Sequence, residues 1–323
     1  MKLKVLGMIL VVLVLALTVG SLAFFNLSRQ SEVESRVVSL RVGILPVMSA
    51  LPFIIAGEEG LFLKHGLNVS LSVYGAARDR DAAFMAGLID VMMIDPVTTL
   101  MLADKGVDVK IVALHHGEYS EDIVFYLLAP PDSQANIDTI SSVAVSLNTV
   151  IEFAAWKIFE AKGRDPRSVN YIDIPSIPLR YQMLMEGKVE AAVLPDPWGT
   201  LAIVEGARLL GSTAELERTP AVSVVAMRGS LVDPEVVKRL RAALDEALGM
   251  YRANPEKYRS IVEERVFVPE KLKGKWLPTW KGRVVDYPRS LFNDVHVWLL
   301  ERKLISKPLN YEDIVVVLGG TGA

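Results

Sequence analysis

From residue 40 onward the chain alternates short apolar runs with stretches whose apolar positions fall three and four apart. Short runs bounded by Gly, Pro, Asn or Asp predict strands, and the wider spacing predicts helices. Strands are expected at 40–45, 68–74, 91–94 and 109–114, with helices at 51–63, 78–86 and 96–105 between them. Gly87 ends the second helix in the manner of a C-terminal glycine. The succession then recurs. Strands at 142–147, 169–174, 191–194 and 208–210 alternate with helices at 149–162, 179–186 and 198–205. Such alternation predicts parallel sheets covered by helices. Two apolar runs fall outside the scheme, 123–129 (IVFYLLA) and 221–227 (AVSVVAM). They are expected to carry the chain across to the second half and back, as a two-strand hinge. Asp233-Pro234 then opens an amphipathic helix reaching Arg252, with Asp as cap and Pro at the first helical position. Another helix follows Asn254-Pro255, and the rest, to 314–318, is expected to pack on the first half.

The two halves read as copies offset by about 100 residues. Phe53 matches Phe153, Arg80 matches Arg180, Met85 matches Met185, Gly87 matches Gly187, and Asp90 matches Glu190. One residue is inserted in the second copy, so Asp95-Pro96 matches Asp196-Pro197 and Thr99-Leu100 matches Thr200-Leu201. The offset closes again at Gly106 and Gly206. A solenoid unit runs only ~20–50 residues, so this period implies two whole lobes of similar build. Lobe one is expected at 39–122 plus 228–323, lobe two at 130–219, and the hinge crossovers at 123–129 and 220–227. A cleft between such lobes is where a ligand would bind.

Residues 5–25 hold no charge, and as a helix would span ~31 Å, close to the ~30 Å apolar core of a bilayer. Lys2 and Lys4 precede them and orient the rest of the chain outward. Residues 1–25 read as a signal peptide or an uncleaved membrane anchor, the length favouring the anchor, and 26–38 as a tether. The body is expected to be extracytoplasmic, either anchored to the cell membrane or periplasmic or secreted after cleavage. There is no cysteine, which excludes disulfides, thiolate chemistry and a lipidated cysteine. With four His, net charge −3 and no long basic run, neither a metal motif nor a nucleic-acid surface is expected. No cofactor is implied, and a monomer is expected.

Ligands of open α/β sheets lie beyond the carboxyl ends of the strands, where helices begin with free N–H groups. In the first half this singles out Ser49, Ala50, Tyr74, Gly75, Arg78, Asp95 and His115. In the second it singles out Ser146, Asn148, Thr149, Asp196 and Trp198. Each has a plainer reading. Asp95 and Asp196 could both be N-caps with Pro at the first helical position. Thr149 with Glu152 fits a capping box. Trp198 could stack on a planar ligand or pack against the hinge, and Tyr74 is equally ambiguous. Arg80 and Arg180 oppose the helix dipole, so each needs an anion or a salt bridge with Asp79, Asp81 or Glu186. Arg78, nearer the strand end, is the better anion candidate. His115 and His116 are neighbours on a strand and should point to opposite faces, which disfavours a shared metal. Trp276 and Trp280 read as packing on the first lobe.

The segments GLFLKHGLNVSL, RDAAFMAGLIDV and LMEGKVEAAVLPDPW and the tail PLNYEDIV, taken in order, resemble the solute-binding components of ABC importers. The group resembled binds nitrate, aliphatic sulfonates and thiamine precursors. The resemblance implies a type II periplasmic-binding fold, an interlobe ligand site, an ABC permease as partner, membrane attachment through the N-terminal helix, and no catalysis. The ligand would be a thiamine-type pyrimidine, a sulfonate or another small anion. The helix N-termini and Arg78 favour an anion, while Asp95, Asp196 and the aromatic residues slightly favour the heterocycle. The prolines of IPSIPLR and the missing lipid-accepting cysteine depart from the group. The alternatives are an enzyme on the same fold, of the pyrimidine or quinone biosynthesis type, or a ligand-sensing ectodomain.

Overall fold

A computed structural model describes residues 37–220, 222–266 and 268–318. The expected membrane segment at 1–25 and the tether to Arg36 lie outside these residues. Among the described residues no helix is long and apolar enough to cross a membrane. The first half contains β1 (Val38–Ile44), α1 (Leu51–Glu58), α2 (Leu61–Lys64), β2 (Leu67–Val73), α3 (Ala77–Met85), β3 (Val91–Ile94), α4 (Pro96–Asp104) and β4 (Val109–His116). The helix expected over 51–63 breaks at Gly60, whose φ of 68° suits a residue without Cβ. The second half contains β5 (Phe125–Ala129), β6 (Ser142–Val145), α5 (Val150–Ala161), β7 (Asn170–Asp173), α6 (Ile177–Met185), β8 (Ala192–Pro195), α7 (Trp198–Val204) and β9 (Arg208–Ser212). The chain returns as β10 (Ser223–Arg228) and continues through α8 (Pro234–Ala253), α9 (Arg259–Arg265), α10 (Arg289–Glu301) and α11 (Tyr311–Ile314).

The strand orders are β2-β1-β3-β10-β4 and β7-β6-β8-β5-β9. They are the same order written twice, with a crossover strand in fourth place. β1 and β3 run parallel, as do β6 with β7 and with β8. β10 is antiparallel to β3 and β4, and β5 is antiparallel to β8 and β9. The sheets are therefore mixed, not parallel as the alternation predicts. The two apolar runs read as hinge are strands inside the sheets. Their uniform hydrophobicity, Phe125–Ala129 and Ser223–Arg228 being buried almost throughout, reflects a place between two neighbours.

The core of the first half includes Phe84, Leu100, Ile111, Leu114, Val224, Phe292 and Trp298. On the second sheet, one face packs under α5 through Ala154, Ala155, Ile158 and Phe159, and the other under α6 and α7 through Leu184 and Ala202. α8 follows the predicted pattern, capped by Asp233 and burying Val237, Leu240, Leu244, Leu248 and Tyr251. Val285 and Val315 form bridges to β4. The halves also meet away from the crossovers. Phe153 and Trp156 of α5 are 1% and 3% exposed and belong to the first half's core, where both rings meet Trp298. Burying each such aromatic contributes about 1.5–3 kcal/mol.

The duplication extends to hydrogen bonds. At the start of β3 Asp90 accepts from Arg41 N at 2.9 Å, and Glu190 accepts from Ser141 N at 2.9 Å. Arg80 Nη1 donates to Met93 O at 2.6 Å, and Arg180 Nε donates to Val193 O at 2.8 Å. Both arginines are buried. Arg80 also donates from Nε and Nη2 to Asp81, the salt bridge that its position suggests. Position 181 is Tyr, and Arg180 instead donates from Nη1 to Ile174 O at 2.6 Å. Burial lowers Arg180 to about 10, so it remains a cation at neutral pH. Neither side chain is open to an anion. Arg80→Met and Arg180→Met each orphan strand carbonyls and should cost about 2–5 kcal/mol in urea unfolding. Arg80→Met should cost more because it strands Asp81, and equal costs would contradict that ordering.

Candidate functional site

The loops after the strands are built from short, internally bonded turns. After β1 comes the 3-10 turn Met48–Ala50, whose Ser49 and Ala50 are buried. Ser49 joins a polar cluster instead of facing outward. Its carbonyl accepts from His115 Nε2 at 3.0 Å, and its hydroxyl donates to His116 Nδ1 at 2.9 Å. His116 Nε2 donates to Asp122 O at 2.8 Å, and its ring stacks on Trp280 with centroids 3.8 Å apart. The two imidazoles therefore reach one serine, although neighbours on a regular strand diverge. The reason is a bulge: Ser223 pairs with His116 and Val224 with Leu114, leaving His115 as the extra residue. The cluster sits where β4 leaves for the second half. The Asp122 carboxylate accepts from Tyr119 N, Lys281 N and Gly282 N there.

After β2, Tyr74 N donates to Ile44 O and the ring packs against the first half's core. A Cβ at Gly43 would lie 3.2 Å from that ring. Gly75 is exposed. Arg78, in the first turn of α3, is 93% exposed, with Nε 3.8 Å from Asp79. After β3, Asp95 caps α4, accepting from Thr98 N and Thr98 Oγ1, each at 2.8 Å. Burial raises its pKa, against the opposing Thr98 bonds.

In the second half Ser146 Oγ donates to Pro175 O at 3.3 Å and lies 3.5 Å from Arg180 Nη1. Thr149 caps α5, accepting from Ile151 N at 3.1 Å. The expected capping box is displaced by one residue, since Glu152 accepts from Asn148 N, not Thr149 N. Asn148 is exposed and holds φ 59°. Asp196 stands one residue further from its helix than Asp95 does. The Asp196-Pro197 bond is cis, Pro197 takes the N-cap place, and Trp198 is the first helical residue. The inserted Pro195 accounts for the difference in sequence. Asp196 still accepts from the first-turn amide Thr200 N at 3.4 Å and from Thr200 Oγ1 at 2.5 Å, and it also accepts from Tyr126 OH at 3.2 Å. Burial raises its pKa, and burial with the adjacent carboxylate pushes Tyr126 to about 12. Trp198 lies 5.3 Å from Tyr181 and packs on the core cluster that includes Leu128 of the crossover strand β5.

Sequence reasoning missed Tyr126, and read Glu152 only as part of a capping box. Tyr126 lies in a crossover run that reads as plain apolar chain. Gly199 marks its place, because a Cβ there would come within 2.1 Å of the Tyr126 ring. A groove of about 830 Å³ also lies beside the crossovers, lined by Gly117, Tyr119, Arg218, Arg241 and Asp286 among others. Arg241 and Asp286 pair across it at 2.5 Å. None of the twelve sequence-predicted residues lines this groove. Among the described residues no group of His and carboxylates is placed to hold a metal.

Burial lowers His115 to about 4, and burial with the neighbouring imidazole lowers His116 to about 3. Both regain an ordinary value when unfolded. The stability they contribute is complete above about 6.5 and is lost as pH falls toward 4 and then 3. Asp95 and Asp196 act oppositely, since a raised folded pKa adds stability at low pH that disappears as pH rises through it. The unfolding free energy from urea titration should therefore drop on acidification from pH 6.5, with a slope approaching about 2.7 kcal/mol per pH unit for two protons. A His115→Gln, His116→Gln variant should show a shallower slope, and an unchanged slope would assign the acid sensitivity elsewhere.

Residues 34–120 match the NMT1-like family. No curated protein matches the chain. The periplasmic aliphatic sulphonate binding protein of Escherichia coli is similar in structure at TM-score 0.71 and 14% identity, over 86% of this chain and 97% of its own. A ligand-binding component of an ABC-type import system from Staphylococcus aureus, with zinc bound, has TM-score 0.69 and 16% identity, over 87% and 97%. The alkanesulfonate-binding protein of Xanthomonas axonopodis pv. citri, bound to MOPS, has TM-score 0.66 and 16% identity, over 84% and 96%. The chain is thus similar to the NMT1-like family over 34–120 and, over most of its length, has the α/β fold of the periplasmic binding proteins.

Proposed function

We propose that the protein is an extracytoplasmic solute-binding protein that captures a small polar or planar solute between its halves and delivers it to an ABC permease. Residues 1–25 would hold it at the membrane or be removed on export. The observation that carries this reading is the doubled architecture. Each sheet repeats one strand order, and a crossover strand in each links the halves. The strand-end loops carrying Asp95, Ser146–Thr149 and Asp196 begin helices, and free helical N–H groups suit a polar or anionic solute. The matched solved proteins are named as binding proteins, which supports binding over catalysis. Closure over the solute would shift an open–closed population, with the crossovers as hinge.

Two solute classes fit the loops. Arg78, exposed beside Asp79, could meet a sulfonate or carboxylate, and Trp198 offers an aromatic surface to a pyrimidine of thiamine type. A thermal-shift screen of residues 37–323 against sulfonates, nitrate, amino acids and thiamine fragments should give a selective hit. A solute at 100 times its Kd adds about 2.7 kcal/mol. Arg78→Ala should then abolish the shift of an anion and Trp198→Ala that of a heterocycle. Folded protein with no shift across the panel would count against the reading.

A further inference from the structure

One side chain of the second half bonds in two directions. Glu152 is fully buried in the first turn of α5. Its Oε2 accepts from Asn148 N at 2.6 Å, and its Oε1 accepts from Arg302 Nη2 at 2.5 Å. Asn148 lies in the 146–149 loop with φ 59°, a left-handed conformation that Asn adopts more readily than most residues but less readily than glycine. Arg302 directly follows α10, which is built into the first half through Phe292, Val295, Trp298 and Leu299. Its guanidinium covers the rings of Trp156 and Tyr171 in the second half, 5.6 and 5.9 Å from their centroids.

We propose that Glu152 is a positioning residue that makes the shape of the 146–149 loop depend on closure of the two halves. With Arg302 in place the buried carboxylate is compensated, and its second oxygen is held on the Asn148 N–H. When the halves part at this face, Arg302 leaves with α10. A buried carboxylate without its cation is costly, and turning toward the opened water-filled gap relieves that cost. The turn releases Asn148, and its left-handed backbone relaxes. By reciprocity, a solute that needs the ordered loop draws the halves together. The value of this coupling for binding rests on reading 146–149 as a ligand loop, but the coupling itself needs no solute to be measured.

The test is hydrogen exchange of the 146–151 backbone in the full-length protein, beside the solution radius of gyration. Arg302→Met touches no loop atom. It should enlarge the radius and speed exchange at Asn148 by about tenfold, the effect of losing one charge-assisted bond. Amides within β6 should keep their protection. Arg302→Lys, which retains the cation, should restore most of the protection. Glu152→Gln should speed exchange at Asn148 as well. In an Asn148→Gly background, where the left-handed backbone needs no support, the Arg302→Met effect should shrink. Opened halves with unchanged exchange at Asn148 would overturn the coupling, as would a lowered melting temperature with neither change. If the coupling holds and the solute screen still gives no hit, the ligand reading fails and the coupling stands.

Discussion

Each sheet is completed by a strand that the chain lays down only when it crosses between the halves. β10 separates β3 from β4, and β5 separates β8 from β9. A strand with neighbours on both sides must satisfy its N–H and C=O groups in the ladder, since water cannot reach them. The first sheet is therefore unfinished until the second half has been traversed. The crossover cannot be a loose linker, and whatever motion separates the halves is confined to the few residues outside β5 and β10. Those residues are themselves tied. Asp122 receives three backbone N–H groups, and His116 bonds Ser49 on one side and the Asp122 carbonyl on the other.

Within each half the strand ends are held by a buried guanidinium. Arg80 and Arg180 sit at matched places and donate to matched carbonyls, Met93 O and Val193 O. The copies diverge in charge. Arg80 is neutralised by Asp81, whereas Arg180 sits among carbonyls and the Ser146 hydroxyl. The divergence recurs at Asp95 and Asp196. Both accept from the first turn of the helix that follows, but only Asp196 also receives a tyrosine from a crossover strand. The two copies thus share the backbone-holding bonds and differ in the groups at the strand ends.

The interface between the halves is asymmetric as well. On one face Phe153 and Trp156 enter the first half's core, with Glu152 and Arg302 paired beneath them. Elsewhere Lys271 reaches Glu205, an exposed cation meeting a partly exposed carboxylate. Exposed pairs of this kind contribute ~0–1 kcal/mol, far less than buried aromatic surface.

Much of the architecture was legible because its signals are local. Apolar period, Gly87, Gly106 and their copies, and the Asp95 and Asp233 caps each act within a few residues. The repeat made two similar halves legible too, since Arg80 and Arg180 or Asp90 and Glu190 can be matched without knowing what they touch. The direction of the crossover strands was not legible, because a run such as FYLLA is equally apolar in a parallel or an antiparallel place. Nor were the partners of single polar groups. The bulge that turns both histidines toward Ser49, the bond from Tyr126 to Asp196, and the contact of Glu152 with Arg302 join residues distant in sequence or shift the frame by one residue. The sequence alone determined the elements, their order and the doubled plan, since these follow from short-range periodicity. Tertiary structure alone decided which strands run antiparallel and where each buried polar group finds its partner, since burial and hydrogen bonding depend on what the rest of the chain brings alongside.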